Sequence, residues 1–414
     1  MTDVPVSVTS GSRYFSYYAF LWGMKKIVLL MLLLLTSCGL KQVDMEIHSG
    51  SDGVWRGPSY GKHMSGTCHA LGLDYPKGHD WKSGQSNDET ECDVVMFADG
   101  IPVLRVKAGD EYEVSTDILR HRIRYGKLYS DYTDGITTVI KEDGKEQVRY
   151  EGAEEIICLE TVDGRIHTIG KPPGGAGFSY RVDGDCLVRR DSATVYPHLD
   201  EHDGRVGFCF SSTVRDAGGC RQQHYCVTGG KVVRVEVGPE VTKVWDMRMV
   251  SGYPCMAVSR KEKAPVIIFG DGSESDSSMN ITDMVSCSFC DSEPLCVCFR
   301  FGQLSPALMT DVLWMGDERL TIFGLGCTLS AVCVDEYGFS AVINPSDETD
   351  GEIYDSDDFH PMPEGYAVIS RECIARKDDV LHVALSSTAG GPPVIWTPVR
   401  SDTLSINGPL FCLR

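Results

Sequence analysis

Glu142-Asp143-Gly144-Lys145, Val162-Asp163-Gly164-Arg165, Val182-Asp183-Gly184-Asp185 and His202-Asp203-Gly204-Arg205 stand 20 residues apart along the chain. Asp-Gly is the dipeptide that a two-residue hairpin turn favours, because both central positions need a positive φ. An interval of 20 residues is room for two short strands and two turns, so one turn type recurs at every second connection. Two such units make a four-stranded meander of about 40 residues, the unit of a propeller blade. Further pairs at Asp99-Gly100, Asp134-Gly135 and Gly229-Gly230 extend the rhythm.

Outward from this stretch, short β-branched and aromatic runs continue to the C-terminus. Runs at 241–250, 255–259, 265–269, 285–290, 295–301, 319–323, 327–334, 339–343, 366–370, 380–385 and 394–397 read as strands. No apolar stripe of helical period spans three turns. The expectation is an all-β chain, a β-propeller of about seven four-stranded blades over 93–414, with tandem β-sandwiches as the alternative. A ring also needs closing, since an open one leaves sheet edges bare. The apolar ending Leu410-Phe411-Cys412-Leu413 is therefore expected in the same blade as the earliest β segment, near Val94–Phe97 or Ile101–Val106.

Composition narrows the functions. The chain has 414 residues and a formal net charge of −20, with 42% hydrophobic and 24% charged residues. That charge excludes nucleic acid as a partner, because phosphate binding needs clustered Lys and Arg. The one basic pair with a special setting is Lys25-Lys26. Met24-Lys25-Lys26 precedes the unbroken apolar run 27–35 and then Thr36-Ser37-Cys38, the layout of a secretory signal. Leu35-Thr36-Ser37-Cys38 resembles the lipobox of bacterial lipoproteins. That resemblance implies cleavage before Cys38, diacylation of Cys38 and membrane attachment through the lipid, in the bacterial cell envelope, on its periplasmic or surface side. Residues 1–23 then read as an over-extended start, 24–37 as the signal peptide and 38–92 as a lipidated tether and loop segment. Of 17 cysteines, 16 remain beyond Cys38, an even number compatible with a minority of disulfides. Cys209, Cys287, Cys296, Cys298 and Cys333 sit in strand-like runs, where a thiol acts as a small apolar group.

Three constellations invite chemical readings. His198-Leu199-Asp200-Glu201-His202 matches H-x-x-E-H, which binds zinc only when a helix puts both imidazoles on one face. Pro197 and Asp203-Gly204 deny that helix, and a loop between two strands is expected instead. Cys287, Cys290, Cys296 and Cys298 could make a four-thiolate site, yet the second pair has strand rather than knuckle spacing. The acidic run 346–358, with Asp350-Gly351 as its turn, has carboxylates for calcium but no Glu closing the loop. The expectation is therefore no metal and no cofactor, with catalytic residues unknown. Pro172-Pro173-Gly174-Gly175 and Gly390-Gly391-Pro392-Pro393 read as connectors. Tyr129, Tyr132, Trp245, Trp314 and Trp396 could stack on a ligand, although strand aromatics more often fill a core.

In architecture the 94–414 segment resembles β-propeller lipoproteins of bacterial envelopes, without the blade signature of any named repeat family. The resemblance implies binding of a glycan, a peptide or another envelope protein by the loops of one axial face. Two other readings stand beside it. A polysaccharide hydrolase or lyase on the same scaffold would set two acidic side chains about 5–10 Å apart near the axis. A structural scaffold would have no pocket.

Overall fold

The computed structural model describes residues 67–77, 92–107, 121–216, 219–261, 263–274, 284–289, 297–302, 308–315, 318–325, 329–335, 338–345, 350–356 and 358–414. Every helix-or-strand element among them is a strand. Cys38 lies outside the described residues.

Blade 1 contains β1 (His69–Asp74), β2 (Asp93–Ala98) and β3 (Ile101–Lys107), joined on the inner side by β32 (Leu410–Leu413). Blade 2 is β4 (His121–Arg124), β5 (Lys127–Thr133), β6 (Thr137–Glu142) and β7 (Lys145–Glu151). Blade 3 is β8 (Glu155–Val162), β9 (Arg165–Lys171), β10 (Phe178–Val182) and β11 (Asp185–Arg190). Blade 4 is β12 (Ala193–His202), β13 (Arg205–Asp216), β14 (Gly219–Thr228) and β15 (Lys231–Val235). Blade 5 is β16 (Val241–Val250), β17 (Tyr253–Arg260) and β18 (Lys263–Ile268). Blade 6 is β19 (Met284–Phe289), β20 (Val297–Gly302), β21 (Leu308–Met315) and β22 (Glu318–Leu325). Blade 7 is β23 (Leu329–Asp335), β24 (Gly338–Ile343), β25 (Glu352–Asp355) and β26 (Asp358–Pro361). In blade 8, β27 (Tyr366–Ala367) and β28 (Ile374–Lys377) both pair with β29 (Val380–Ser387), followed by β30 (Val394–Trp396) and β31 (Ser401–Thr403).

The protein is thus a β-propeller of antiparallel, mostly four-stranded blades, with eight sheets among the described residues. Seven or so were expected. The difference arises because blades 2 and 3 occupy only 121–151 and 155–190, less chain than the expected blade, and because blade 1 recruits strands from both ends.

Closure follows the expected logic with one change of partner. β32 enters blade 1 beside β1, with Ala70 opposite Leu413 and Leu71 opposite Cys412, and β1 in turn pairs with β2. Leu410, Phe411, Cys412 and Leu413 are all buried. Residues 69–74 fall inside the stretch read as tether and loop. Their sequence, His-Ala-Leu-Gly-Leu-Asp, lacks β-branched residues and carries a glycine, so local propensity hides the strand. Gly72 lets the neighbouring chain pack close, since a Cβ there would sit 2.4 Å from Ile406 Cδ1 and 2.9 Å from Leu410 Cδ2 and would push both side chains aside.

The core lies between consecutive sheets. Tyr129, Ile140, Ile156 and Leu159 pack blade 2 on blade 3. Between blades 3 and 4, Phe178 meets Phe208 and Phe210 at ring-centroid distances of 5.6 and 5.1 Å, and Tyr180 meets Phe208 at 5.0 Å. Full burial of each such side chain contributes about 1.5–3 kcal/mol. The inner edge of β8 is not left bare. Arg122 Nη2 donates to Ile156 O at 2.6 Å and Arg124 Nε to Leu159 O at 3.2 Å, both from β4 of the preceding blade.

Candidate functional site

In a four-stranded meander, alternating strand direction sends the first and third turns to one axial face. In blades 2 to 4 these are Tyr125-Gly126, Asp143-Gly144, Asp163-Gly164, Asp183-Gly184, Asp203-Gly204 and Gly229-Gly230. All twelve residues have positive φ, as a two-residue hairpin turn with the right twist requires. The 20-residue spacing therefore marks a face as well as a fold.

Inner and outer turns treat the same dipeptide differently. At the outer turns the aspartate grips the start of the second strand of its own blade. Asp143 N–H donates to Leu128 O at 2.8 Å while Leu128 N–H donates to Asp143 Oδ1 at 3.0 Å. Asp183 repeats this with Ile166, both bonds at 2.8 Å, and Asp99 repeats it with Cys68 at 2.8 and 2.9 Å. Burial pushes the Asp183 carboxyl up, but the Ile166 N–H and the Arg165 guanidinium outweigh it and hold it below its ordinary value. At the inner turns the carboxylates have no such grip on the second strand. A Cβ on Gly204 would lie 3.5 Å from Asp163 Oδ2, so Asp163 leans toward the next blade's turn.

Between these turns, over blades 2 to 4, lies a cleft of about 640 Å³. Glu142, Asp163, Asp183 and Glu201 bring four carboxylates to its lining, against the single ammonium group of Lys127. Lys127 Nζ donates to Glu142 Oε1 at 2.7 Å, and Tyr129 O–H donates to Oε2 at 2.6 Å. These bonds, Lys127 first, hold Glu142 below its ordinary value. Tyr129 is pushed up by burial and then by Glu142, so it stays a phenol. Tyr125, exposed at the rim, is raised by partial burial and by Glu160 and Glu201. Glu201 Oε1 accepts from Gly204 N–H at 2.8 Å, which fixes its position at the turn. Glu142 and Asp183 are thus both held ionised, which suits attraction of positive charge and not proton donation.

A second cleft of about 330 Å³ opens on the same face between blades 4 and 5, lined by His202, Asp203, Arg205 and Tyr253 among others. His202 Nε2 is 3.4 Å from Asp203 Oδ2, and its Cδ2 would be 2.9 Å from a Cβ on Gly252.

The expected loop at 197–202 is part of β12, and this is a correction. Pro197 has no N–H for the ladder, and the register shifts between Tyr196 and Asp200, so the strand absorbs it as a bulge. His198, Glu201 and His202 are separated by that geometry. His198 Nε2 faces Asp246 Oδ2 of blade 5 at 3.8 Å, while Glu201 turns to the first cleft and His202 to the second. Among the described residues no group of three or more His, Cys, Asp or Glu side chains is arranged to hold a metal ion.

Of the four thiols that could make a zinc site, Cys290 and Cys296 lie outside the described residues. Cys287 and Cys298 stand on neighbouring strands at offset positions, Cys287 opposite Phe299 and Cys298 opposite Ser288. In the acidic run, 346–349 and 357 lie outside the described residues, and Asp355 is ion-paired with Arg376. Among the aromatics, Tyr129 and Trp396 are buried and Tyr132 is exposed. Trp245 donates its N–H to Ser259 Oγ at 2.7 Å. Nothing in the sequence singled out Lys127, Glu142 or Gln147 for the cleft. The signal that points there is the parity of the Asp-Gly turns.

No family model matches the chain, and no curated protein does. Among solved structures, the β-propeller domain of the Trilobed protease from Pyrococcus furiosus is 11% identical, covering 67% of this chain and 91% of that one at a TM-score of 0.42. The acylaminoacyl peptidase of Pyrococcus horikoshii is 11% identical, covering 76% of this chain and 58% of that one at a TM-score of 0.42. TolB from Acinetobacter baumannii is 10% identical, covering 83% and 82% at a TM-score of 0.34. Strand order, register and ring closure establish the propeller within this chain itself.

Proposed function

We propose that this protein is a lipid-anchored binding propeller of the bacterial cell envelope, which captures a Lys- or Arg-bearing peptide segment on the face that carries its Asp-Gly turns. The observation that carries the reading is the cleft over blades 2 to 4. Four carboxylates and two tyrosines surround one lysine there, and the two carboxylates with shifted ionisation are held charged. A cation entering it meets complementary potential, and the exposed ring of Tyr125 stands at the rim. The tether is Cys38, from the lipobox resemblance.

Two measurements test this. Cys38→Ser should move the protein from membranes to the soluble fraction, and a mutant that stays on membranes after a high-salt wash removes the anchor from the reading. The released protein should then be titrated calorimetrically with a Lys/Arg-rich peptide, an acidic peptide and neutral glycans. Binding of the basic peptide alone, weakened at least tenfold in an Asp163→Asn/Glu142→Gln double variant, is the expected result. Equal binding by the double variant, or binding of the glycans only, sinks the cleft as the site.

A further inference from the structure

We infer that Cys209 and Cys226 are a disulfide-forming pair inside blade 4. They occupy directly opposed positions on β13 and β14, with Phe210 opposite Tyr225 on one side and Phe208 opposite Val227 on the other. Opposed residues of an antiparallel pair share a face and have Cα atoms about 4.5 or 5.5 Å apart. A disulfide spans about 4.4–6.8 Å between Cα atoms, a range that the Cα spacing of opposed residues falls within. Both are free thiols, 1% and 7% exposed, in an apolar cluster with Tyr196, Met247 and Met256. Burial holds both thiols above their ordinary value, Cys209 well above it, so little thiolate exists once blade 5 covers them.

That burial sets the order of events. The bond forms while blade 4 is still accessible and is then shielded. The reaction is exchange with a disulfide oxidant, either the disulfide of a thiol–disulfide oxidoreductase or a small disulfide such as oxidised glutathione. The two thiols lose two protons and two electrons and join, and the oxidant's disulfide is reduced to two thiols. Formation in the cell rests on the export reading above, because a reducing cytosol would hold the pair open.

The chain carries its own means of testing this. Trypsin cuts after Arg205, Arg215, Arg221 and Lys231, so Cys209 lies in 206–215, Cys220 in 216–221 and Cys226 in 222–231, while Cys255 lies in 249–260. Full-length protein should be refolded with oxidised glutathione, alkylated in denaturant, digested without reduction and examined by mass spectrometry. The expected product is 206–215 linked to 222–231, two hydrogens lighter than the sum, with Cys220 and Cys255 alkylated. Alkylated Cys209 and Cys226, or Cys209 linked to Cys255, overturns the pair. The same digest of protein taken from membranes tests export separately. A link made in vitro but missing there keeps the pair and rejects the oxidising compartment.

Discussion

The outer turn of blade 3 and its inner turn carry the same dipeptide, Asp183-Gly184 and Asp163-Gly164, with nearly the same backbone: φ is 50° and 88° at the first, 51° and 75° at the second. Asp183 is a structural residue, locked to Ile166 and Arg165. Both line the cleft, but Asp163 does so beside the next blade's turn, without gripping a strand of its own blade. Radial position separates them. An outer turn lies alongside the start of the second strand and can reach its first N–H, whereas an inner turn belongs to that strand's own hairpin, and Asp163 leans instead toward the next blade's turn. One local solution to chain reversal therefore supplies both the fastener of blades 1 to 3 and part of the charge of the cleft.

The largest expected effect comes from removing what both kinds of turn stand on. Asp99 grips Cys68, which leads into β1, and β1 is paired with β32. Deleting residues 409–414 bares the inner edge of blade 1 and should abolish the cooperative unfolding transition by circular dichroism. A truncated protein that melts like the parent would show that the outer-turn grip does not depend on ring closure.

Next is the buried pair beneath the outer turn of blade 3. Arg181 bonds Glu154 through Nε and Nη2 and also donates Nη1 to Gly184 O at 2.9 Å. Ser179 Oγ and Tyr150 O–H complete the shell of Glu154 at 2.6 and 3.2 Å. Glu154→Ala leaves the guanidinium buried without its counter-charge and should cost about 3–5 kcal/mol in urea unfolding. Loss of less than about 1 kcal/mol would mean the turn is held by Asp183 alone.

The direct comparison is Asp183→Ala against Asp163→Ala. Both replace a residue at positive φ and share that backbone penalty. Only the first also strands the Ile166 N–H, so it should be less stable than the second by about 1–2 kcal/mol. Asp163→Ala should weaken peptide binding more than Asp183→Ala lowers it at a temperature where both are folded. Equal destabilisation would erase the distinction between the two turns.

The smallest effect is a pH slope. Asp99, held low by Lys377 and then by the Cys68 N–H, and Asp183, held low by Ile166 and Arg165 against its burial, both lie below the ordinary value of 3.8. A depressed carboxyl stabilises the fold fully above its unfolded value, and that stabilisation is lost as pH falls through the folded one. Melting temperature should therefore drop as pH is lowered past 3.8, with a shallower drop in Asp183→Asn. An unchanged slope in that variant would place the acid sensitivity elsewhere.

Legible in the sequence was whatever lay within one or two turns of chain. Asp-Gly spacing announced hairpins, parity announced four-stranded blades, and the apolar ending announced a strand that had to be covered. The strand at 69–74 was illegible because Gly72 and the absence of β-branched residues make it a poor strand locally, and only β2 and β32 on either side stabilise it. The stretch 197–202 misled in the opposite sense, since Pro197 ends a regular ladder but a bulge lets β12 pass through it.

By itself the sequence determined the turn chemistry, the antiparallel meander and the face on which the Asp-Gly turns gather, because these depend on φ preferences and strand alternation that act over a few residues. Only the tertiary structure decided which aspartates fasten strands, that Glu142, Asp163, Asp183 and Glu201 from three blades line one cleft, and that Cys209 stands opposite Cys226. Those outcomes depend on radial position and strand register. Both are set when the sheets pack against one another and the last strand closes the first blade.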